Sequence, residues 1–185
     1  GRRVQELTAE LRAGGQLICR ASALRVQPVP EDLPPGAVGD TGSSMPGPQE
    51  GKAVRFALDD PKRASFASSA MEMRWLDDPW ASGPGRVWMR LRHPLLPGEP
   101  LSALARLAAT ADFGNGVSAE LSFEQYLFIN ADLSIHLHRE PRGEWIGLDA
   151  RTLLAHGGTG LAESVLHDLE GPVGRAFQTL VVQAR

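Results

Sequence analysis

Three polar residues set among apolar neighbours are where chemistry would concentrate in this sequence: Asp112, Asn130 and Gln178. A carboxylate can orient a water and take up its proton without a serine or cysteine nucleophile, and a side-chain amide donates or accepts a hydrogen bond as needed. Asp112 closes an apolar helical run, where the helix dipole disfavours a carboxylate, so its place carries a cost that a functional role would offset. The plain alternative is a polar residue at a helix end. Gln178 shares a strand face with Ala176, Leu180 and Val182; it needs a partner if buried, and none if its strand is an edge open to water. Asn130 falls by alternation on a face with Asp132, Ser134, His136 and His138, which reads equally well as a solvated sheet surface.

Other candidates are weaker. His136 and His138 project from one strand face with Asp132 further along it, a spacing that can hold a metal, but exposed polar residues on a strand are commoner than a site and no metal is expected. Gly157-Gly158-Thr159-Gly160 lacks the Lys-Ser or Lys-Thr pair of a phosphate loop and leads into a strand. There is no G-x-S-x-G elbow, and Cys19 is the single cysteine with no histidine near it in sequence, so serine and cysteine hydrolase chemistry falls away. Trp75, Trp80, Trp88 and Trp145 read as sheet packing.

The elements that must position these residues follow from periodicity. Two runs, 2–12 and 16–26, flank Ala13-Gly14-Gly15 and predict a hairpin. From 27 to about 64, Pro28, Pro30, Pro34, Pro35, Pro46, Pro48 and Pro61 alternate with glycines and predict a linker. Strands are expected at 71–76 and 86–92. Then Leu101, Leu104, Leu107, Ala108 and Ala111 make one helical face that should end near Gly114-Asn115-Gly116. Four further strands, at 127–139, 144–155, 160–168 and 175–183, read as a meander, giving an α+β layer pair of antiparallel sheet and covering helix.

A weak internal echo accompanies this pattern. Aligned on Arg20-Ala21 and Arg175-Ala176, the first hairpin matches the last in shape, with Ala23 standing where Gln178 does. The expectation is a duplicated unit of which the chain begins with the last hairpin of a first copy, starting at a residue that is not a natural start. A free edge there would be covered by absent chain or by a second copy, so a homo-oligomer is expected.

Bulk properties narrow the partners. At 185 residues and 42% hydrophobic content the chain is an ordinary globular one. A net charge of -3 gives no basic field for a phosphate backbone, which argues against nucleic acid. One cysteine excludes an intrachain disulfide, and no apolar stretch approaches the roughly 18 to 20 residues of a membrane helix, so no membrane association and a cytoplasmic location are expected.

From Leu101 onward particular phrases become informative. They are the run from Leu104 through Thr110-Ala111-Asp112-Phe113-Gly114-Asn115-Gly116, then Phe128-Ile129-Asn130-Ala131-Asp132-Leu133-Ser134-Ile135-His136-Leu137-His138-Arg139, Pro141-Arg142-Gly143-Glu144-Trp145, Gly160-Leu161-Ala162-Glu163, and Gly174-Arg175-Ala176-Phe177-Gln178-Thr179-Leu180. Over about residues 70–185 the sequence resembles the thioesterase-like family of double hot-dog proteins, related to acyl-CoA thioesterase II. The resemblance implies a hot-dog fold, an antiparallel sheet wrapped around one long helix, complete in the C-terminal module and truncated to its last hairpin in the N-terminal one. On that reading residues 1–27 are the remnant hairpin, 28–66 the linker and 67–185 the C-terminal hot-dog domain.

The same resemblance implies an acyl-CoA substrate, no cofactor, and a water positioned by an Asp on the helix, a Thr on the next strand and a Gln on the last. These fall on Asp112, Asn130 and Gln178, with Asn in place of Thr. An apolar pocket for the acyl chain is expected beside them. A non-catalytic acyl-binding module of the same fold is the alternative. A hot-dog hydratase or dehydratase ranks third, because its Asp and His dyad has no counterpart after Leu101.

Overall fold

The computed structural model describes residues 3–29, 32, 34, 37, 44–54 and 65–185; the rest of the expected linker, including 55–64, lies outside the described residues. The chain divides into two compact units, Gly1–Asp40 and Thr41–Arg185.

The first unit is the expected hairpin. β1 (Val4–Ala13) and β2 (Gln16–Val26) pair antiparallel as a two-stranded sheet. The turn rests on Gly14 and Gly15 at φ 54 and 82, a left-handed stretch that other residues adopt only with strain.

The second unit is built on an eight-stranded antiparallel sheet in the order β3-β4-β5-β8-β9-β10-β6, with β7 also pairing β10. Its strands are β3 (Lys52–Ala53), β4 (Met71–Trp75), β5 (Gly85–Leu91), β6 (Tyr126–Asn130), β7 (Ser134–Leu137), β8 (Ile146–Ala155), β9 (Thr159–Asp168) and β10 (Gly171–Ala184). The helices are α1 (Phe66–Ser69), α2 (Ala103–Ala111) and α3 (Gly114–Val117). Alternating burial along β4, β5, β8, β9 and β10 sends Met73, Val87, Met89, Ile146, Leu148, Leu166 and Ala176 to one face, where Leu107 and Ala111 of α2 and Val117 of α3 meet them. At about 25 cal/mol per Å² of apolar area removed from water, this shared core is what holds helix to sheet.

Three expectations need correction. The predicted strand 127–139 is two strands, because one additional residue is accommodated between Asn130, opposite Leu180, and Ser134, opposite Phe177. The Asp132 carboxylate accepts the Thr179 N–H at 2.7 Å at this break, while Ala131 N–H donates to the Thr179 carbonyl at 2.8 Å. That is the behaviour of a β-bulge: the ladder is interrupted, and the side-chain alternation reverses. The four strands are also not a simple meander, since β6 and β7 cross to the far side of β10 while β8 joins β5.

The third correction concerns the helix, which is not one long element. α2 opens on Ser102, whose hydroxyl accepts the Ala105 N–H at 3.1 Å. It closes at Asp112 with Phe113 N–H bonding to Thr110 O, and the glycine-containing α3 follows as a separate turn.

Outside this frame, the segment before β3 packs on the sheet as well. Trp88 Nε1 donates to the Pro46 carbonyl at 2.6 Å, and Lys52 and Ala53 pair with Trp75 and Arg74 of β4.

Candidate functional site

Asp112 sits at the junction of α2 and α3, turned away from the core, while Asn130 ends β6 and Gln178 lies mid-way along β10. These elements are distant in sequence, and the structure brings all three side chains together. Asn130 Nδ2 donates to Asp112 Oδ1 at 2.8 Å. Gln178 Nε2 donates to the same oxygen at 3.3 Å and to the Asp112 main-chain carbonyl at 3.0 Å. The other end of the Gln178 amide, Oε1, accepts the Asn115 N–H at 3.0 Å. Donor and acceptor chemistry therefore fixes the orientation of both amides: a carboxylate oxygen takes only N–H, and a backbone N–H needs the carbonyl end.

Burial differs among the three. Gln178 is 1% exposed, so its amide would be costly without partners, and here it has them on both sides. The edge-strand reading of Gln178 is thus replaced by an inner one, because β6 and β7 continue the sheet beyond β10. Asn130 is half-buried and Asp112 exposed. Among the described residues no ion pair involves Asp112, so its carboxylate is held by amides alone.

Asn130 does not share a face with Ser134, His136 and His138. The extra residue after Asn130 reverses alternation, so Asn130 turns inward opposite buried Leu180 while those three stay exposed.

Two neighbours escaped the sequence reading. Ser164 on β9 is buried beside Gly114, and a Cβ on Gly114 would stand 2.9 Å from both Ser164 Oγ and Gln178 Oε1. The signal for Ser164 was present: it alternates with Ala162 and Leu166, a polar residue on an apolar strand face just as Gln178 is.

A cavity of about 270 Å³ opens on the outward sheet face, bordered by Asp149, Arg151, Glu163, Val165 and Arg175, where Arg151 pairs with Glu163. What adjoins Asp112 along α2 is an apolar stripe open to solvent: Ala108 and Leu104 precede it by about one and two helical turns, and all three residues are exposed.

Residues 30–182 match the acyl-CoA thioesterase C-terminal domain family. The chain belongs to that family. Among solved structures it is similar to an acyl-CoA thioesterase II, TesB2, from Mycobacterium marinum, at 19% identity and TM-score 0.70, covering 100% of this chain and 70% of that one. It is also similar to a hot-dog protein of unknown function from Alicyclobacillus acidocaldarius, at 17% identity and TM-score 0.68, covering 100% and 69%. Thioesterase HI1161 from Haemophilus influenzae aligns with 73% of this chain and 94% of its own length at 15% identity and TM-score 0.51. No curated protein matches. At these identities the likeness is one of fold, and the antiparallel sheet with α2 and α3 on its inner face is the hot-dog fold. Among the described residues no helix is long and apolar enough to cross a membrane.

Proposed function

We propose that this member of the thioesterase family hydrolyses an acyl-CoA thioester with a water held by Asp112 and Asn130, Gln178 fixing the carboxylate. The observation that carries the reading is the convergence of two amide N–H groups on Asp112 Oδ1. With Oδ1 so occupied, Oδ2 is left to accept a proton from water. The water oxygen attacks the thioester carbonyl carbon as that proton passes to Oδ2; the intermediate then breaks its C–S bond, and the thiolate leaves with the proton returned from Asp112. The products are a carboxylic acid and a thiol, and no redox partner is required.

The two amides divide the work. Gln178 spends both N–H positions on Asp112 and its Oε1 on Asn115, so it is a positioning residue. Asn130 spends one N–H on Asp112, leaving the second N–H for the water or the developing oxyanion and Oδ1 for a proton of the water. Asn thus retains the donor that a Thr hydroxyl would supply at this place. We read the domain division in the same terms, residues 1–27 as the last hairpin of a second hot-dog unit, 28–66 as linker and 67–185 as the hot-dog domain proper; the matched strand pairing of the two hairpins supports it.

The test is thiol release across a series of acyl-CoA chain lengths. Turnover is expected, and Asp112→Asn should lower kcat by about 100-fold or more, the lower end of what general base catalysis supplies, with little change in melting temperature. Binding of acyl-CoA without thiol release would instead favour the non-catalytic module, and an Asp112→Asn variant with undiminished kcat would remove the carboxylate from the mechanism.

A further inference from the structure

Gly114 opens α3 between two buried polar side chains of the sheet, Ser164 and Gln178. A methyl group placed on it would lie 2.9 Å from Gln178 Oε1 and 2.9 Å from Ser164 Oγ, closer than carbon and oxygen approach without displacement. Its φ is not positive, so the backbone does not demand glycine here; the space does.

Each element around it limits which group can give way. α3 is tied on its far side: Ser118 Oγ donates to the Gly114 carbonyl at 2.9 Å and lies 2.8 Å from Thr152 Oγ1 on β8, with both hydroxyl residues buried. The turn therefore cannot retreat without giving up buried hydrogen bonds. Ser164 can swing its hydroxyl by a single torsion. Gln178 can move its amide only by breaking the Asn115 N–H bond or the two bonds to Asp112, since all its polar atoms are engaged. The neighbouring residue thus supplies the donor that orients the Gln178 amide, and Gly114 supplies the room in which that orientation fits.

We infer that Gly114 is a positioning residue of the proposed hydrolytic site: its missing side chain keeps the Gln178 amide turned so that Nε2 holds Asp112. The inference rests on the reading of Asp112, Asn130 and Gln178 as the water-holding group. Among the described residues Ser164 is the only other group at the same close distance, so it offers the competing explanation that Gly114 merely makes room for a serine.

A double-variant cycle on the full chain decides between them. Gly114→Ala should lower kcat by tenfold or more while KM changes less than about threefold, and should displace the side-chain amide resonance of Gln178 in a ¹⁵N spectrum. In a Gln178→Ala background the same Gly114→Ala change should have no further effect on kcat, because the group through which it acts is gone. Additive losses would overturn the inference, as would full recovery of kcat and of the Gln178 resonance in Gly114→Ala/Ser164→Ala. Should Gly114→Ala fail to fold, Gly114→Ala/Gln178→Ala folds if the conflict is with the amide; if that double variant also fails, the inference is wrong. Absence of thiol release by the unmodified chain would sink the hydrolytic reading alone, since the Gln178 resonance reports its orientation without turnover.

Discussion

The β1–β2 and β9–β10 hairpins share one pairing scheme and differ in nearly everything the pairing carries. Leu7 faces Ala23 as Ala162 faces Gln178, Glu10 faces Arg20 as Val165 faces Arg175, and Ala13 faces Gln16 as Asp168 faces Gly171. Each second strand accommodates one extra residue at the same step, Ile18 in one and Val173 in the other. A bulge conserved between two hairpins of one chain is a designed feature of the backbone and not an accident of either turn. The inner face of β9–β10 buries Ala162, Ser164, Leu166, Val173, Ala176, Gln178 and Leu180. The matching positions in the first hairpin, Leu7, Ala9, Leu11, Ile18, Ala21, Ala23 and Arg25, are all exposed. Where the second hairpin sets Ser164 and Gln178, the first sets alanine, so the hairpin is present twice and these two polar side chains only once.

Turn chemistry separates the two hairpins as well, and it gives the largest expected effect on stability. The β1–β2 turn relies on two glycines. The β9–β10 turn has one glycine in the left-handed region, Gly171 at φ 122, and adds Asp168, 2% exposed, which accepts two bonds from the Arg139 guanidinium at 2.5 and 2.6 Å and one each from the N–H groups of Glu170 and Arg142. Burial alone would raise the Asp168 carboxyl, but those donors outweigh it and hold it below its ordinary value of 3.8. Arg139→Ala leaves a buried carboxylate short of its forked partner and should destabilise the second unit by about 3–5 kcal/mol in urea unfolding. A loss under about 1 kcal/mol would mean that the turn closes as the glycine turn does, without the carboxylate. Next in size is a matched pair of core deletions. Leu166→Ala, at 0% exposure, should cost about 2–5 kcal/mol, whereas Leu11→Ala at the equivalent place, 63% exposed, should stay within about 0.5 kcal/mol. Equal losses would show that the face of the first hairpin is covered in solution.

The same contrast explains what was legible in the sequence. The hairpin at Gly14-Gly15 was readable from its turn despite an imperfect alternation, and β8 to β10 because turn-rich segments bound each run. β3, α1 and α3 span two or four residues, too few for any period, and went unanticipated. The break in 127–139 was hidden because an inserted bulge leaves composition unchanged while reversing the faces after it. Asn130 was therefore assigned to the wrong side with His136 and His138. Asp112 and Gln178 were legible as polar residues in apolar settings, but their meeting depends on β10 bringing its inner face beneath the α2–α3 junction, a long-range placement that local pattern does not encode. Gly114 was visible only as punctuation at a helix end, and its contact with Gln178 and Ser164 is a property of the packed unit.

The smallest expected effect separates the hairpins by pH. His167 on β9 is 1% exposed, and its counterpart by register on β1 is Arg12, exposed and paired with Glu10. Burial pushes the His167 imidazole below its ordinary value of 6.5, partly opposed by the charges of Asp149 and Asp168 and assisted by Arg139. A histidine whose pKa is lowered on folding stays neutral in the native state while the unfolded chain takes up a proton, so its contribution is fully present above about 6.5 and is lost as pH falls below that. Asp168 acts in a lower window, because its carboxyl is held below 3.8 in the folded state, so its contribution is present above about 3.8 and is lost as pH falls below it. Between about pH 6.5 and 5.5, then, above the range in which Glu10 of β1 and Asp168 titrate, acid should loosen β9–β10 through His167 and leave β1–β2 unchanged. Amide hydrogen exchange corrected for its intrinsic pH dependence should show falling protection in residues 159–184 and none attributable to titration in 4–26, and His167→Gln should flatten the first trend. Parallel losses in both hairpins, or an undiminished slope in His167→Gln, would assign the acid response to another group.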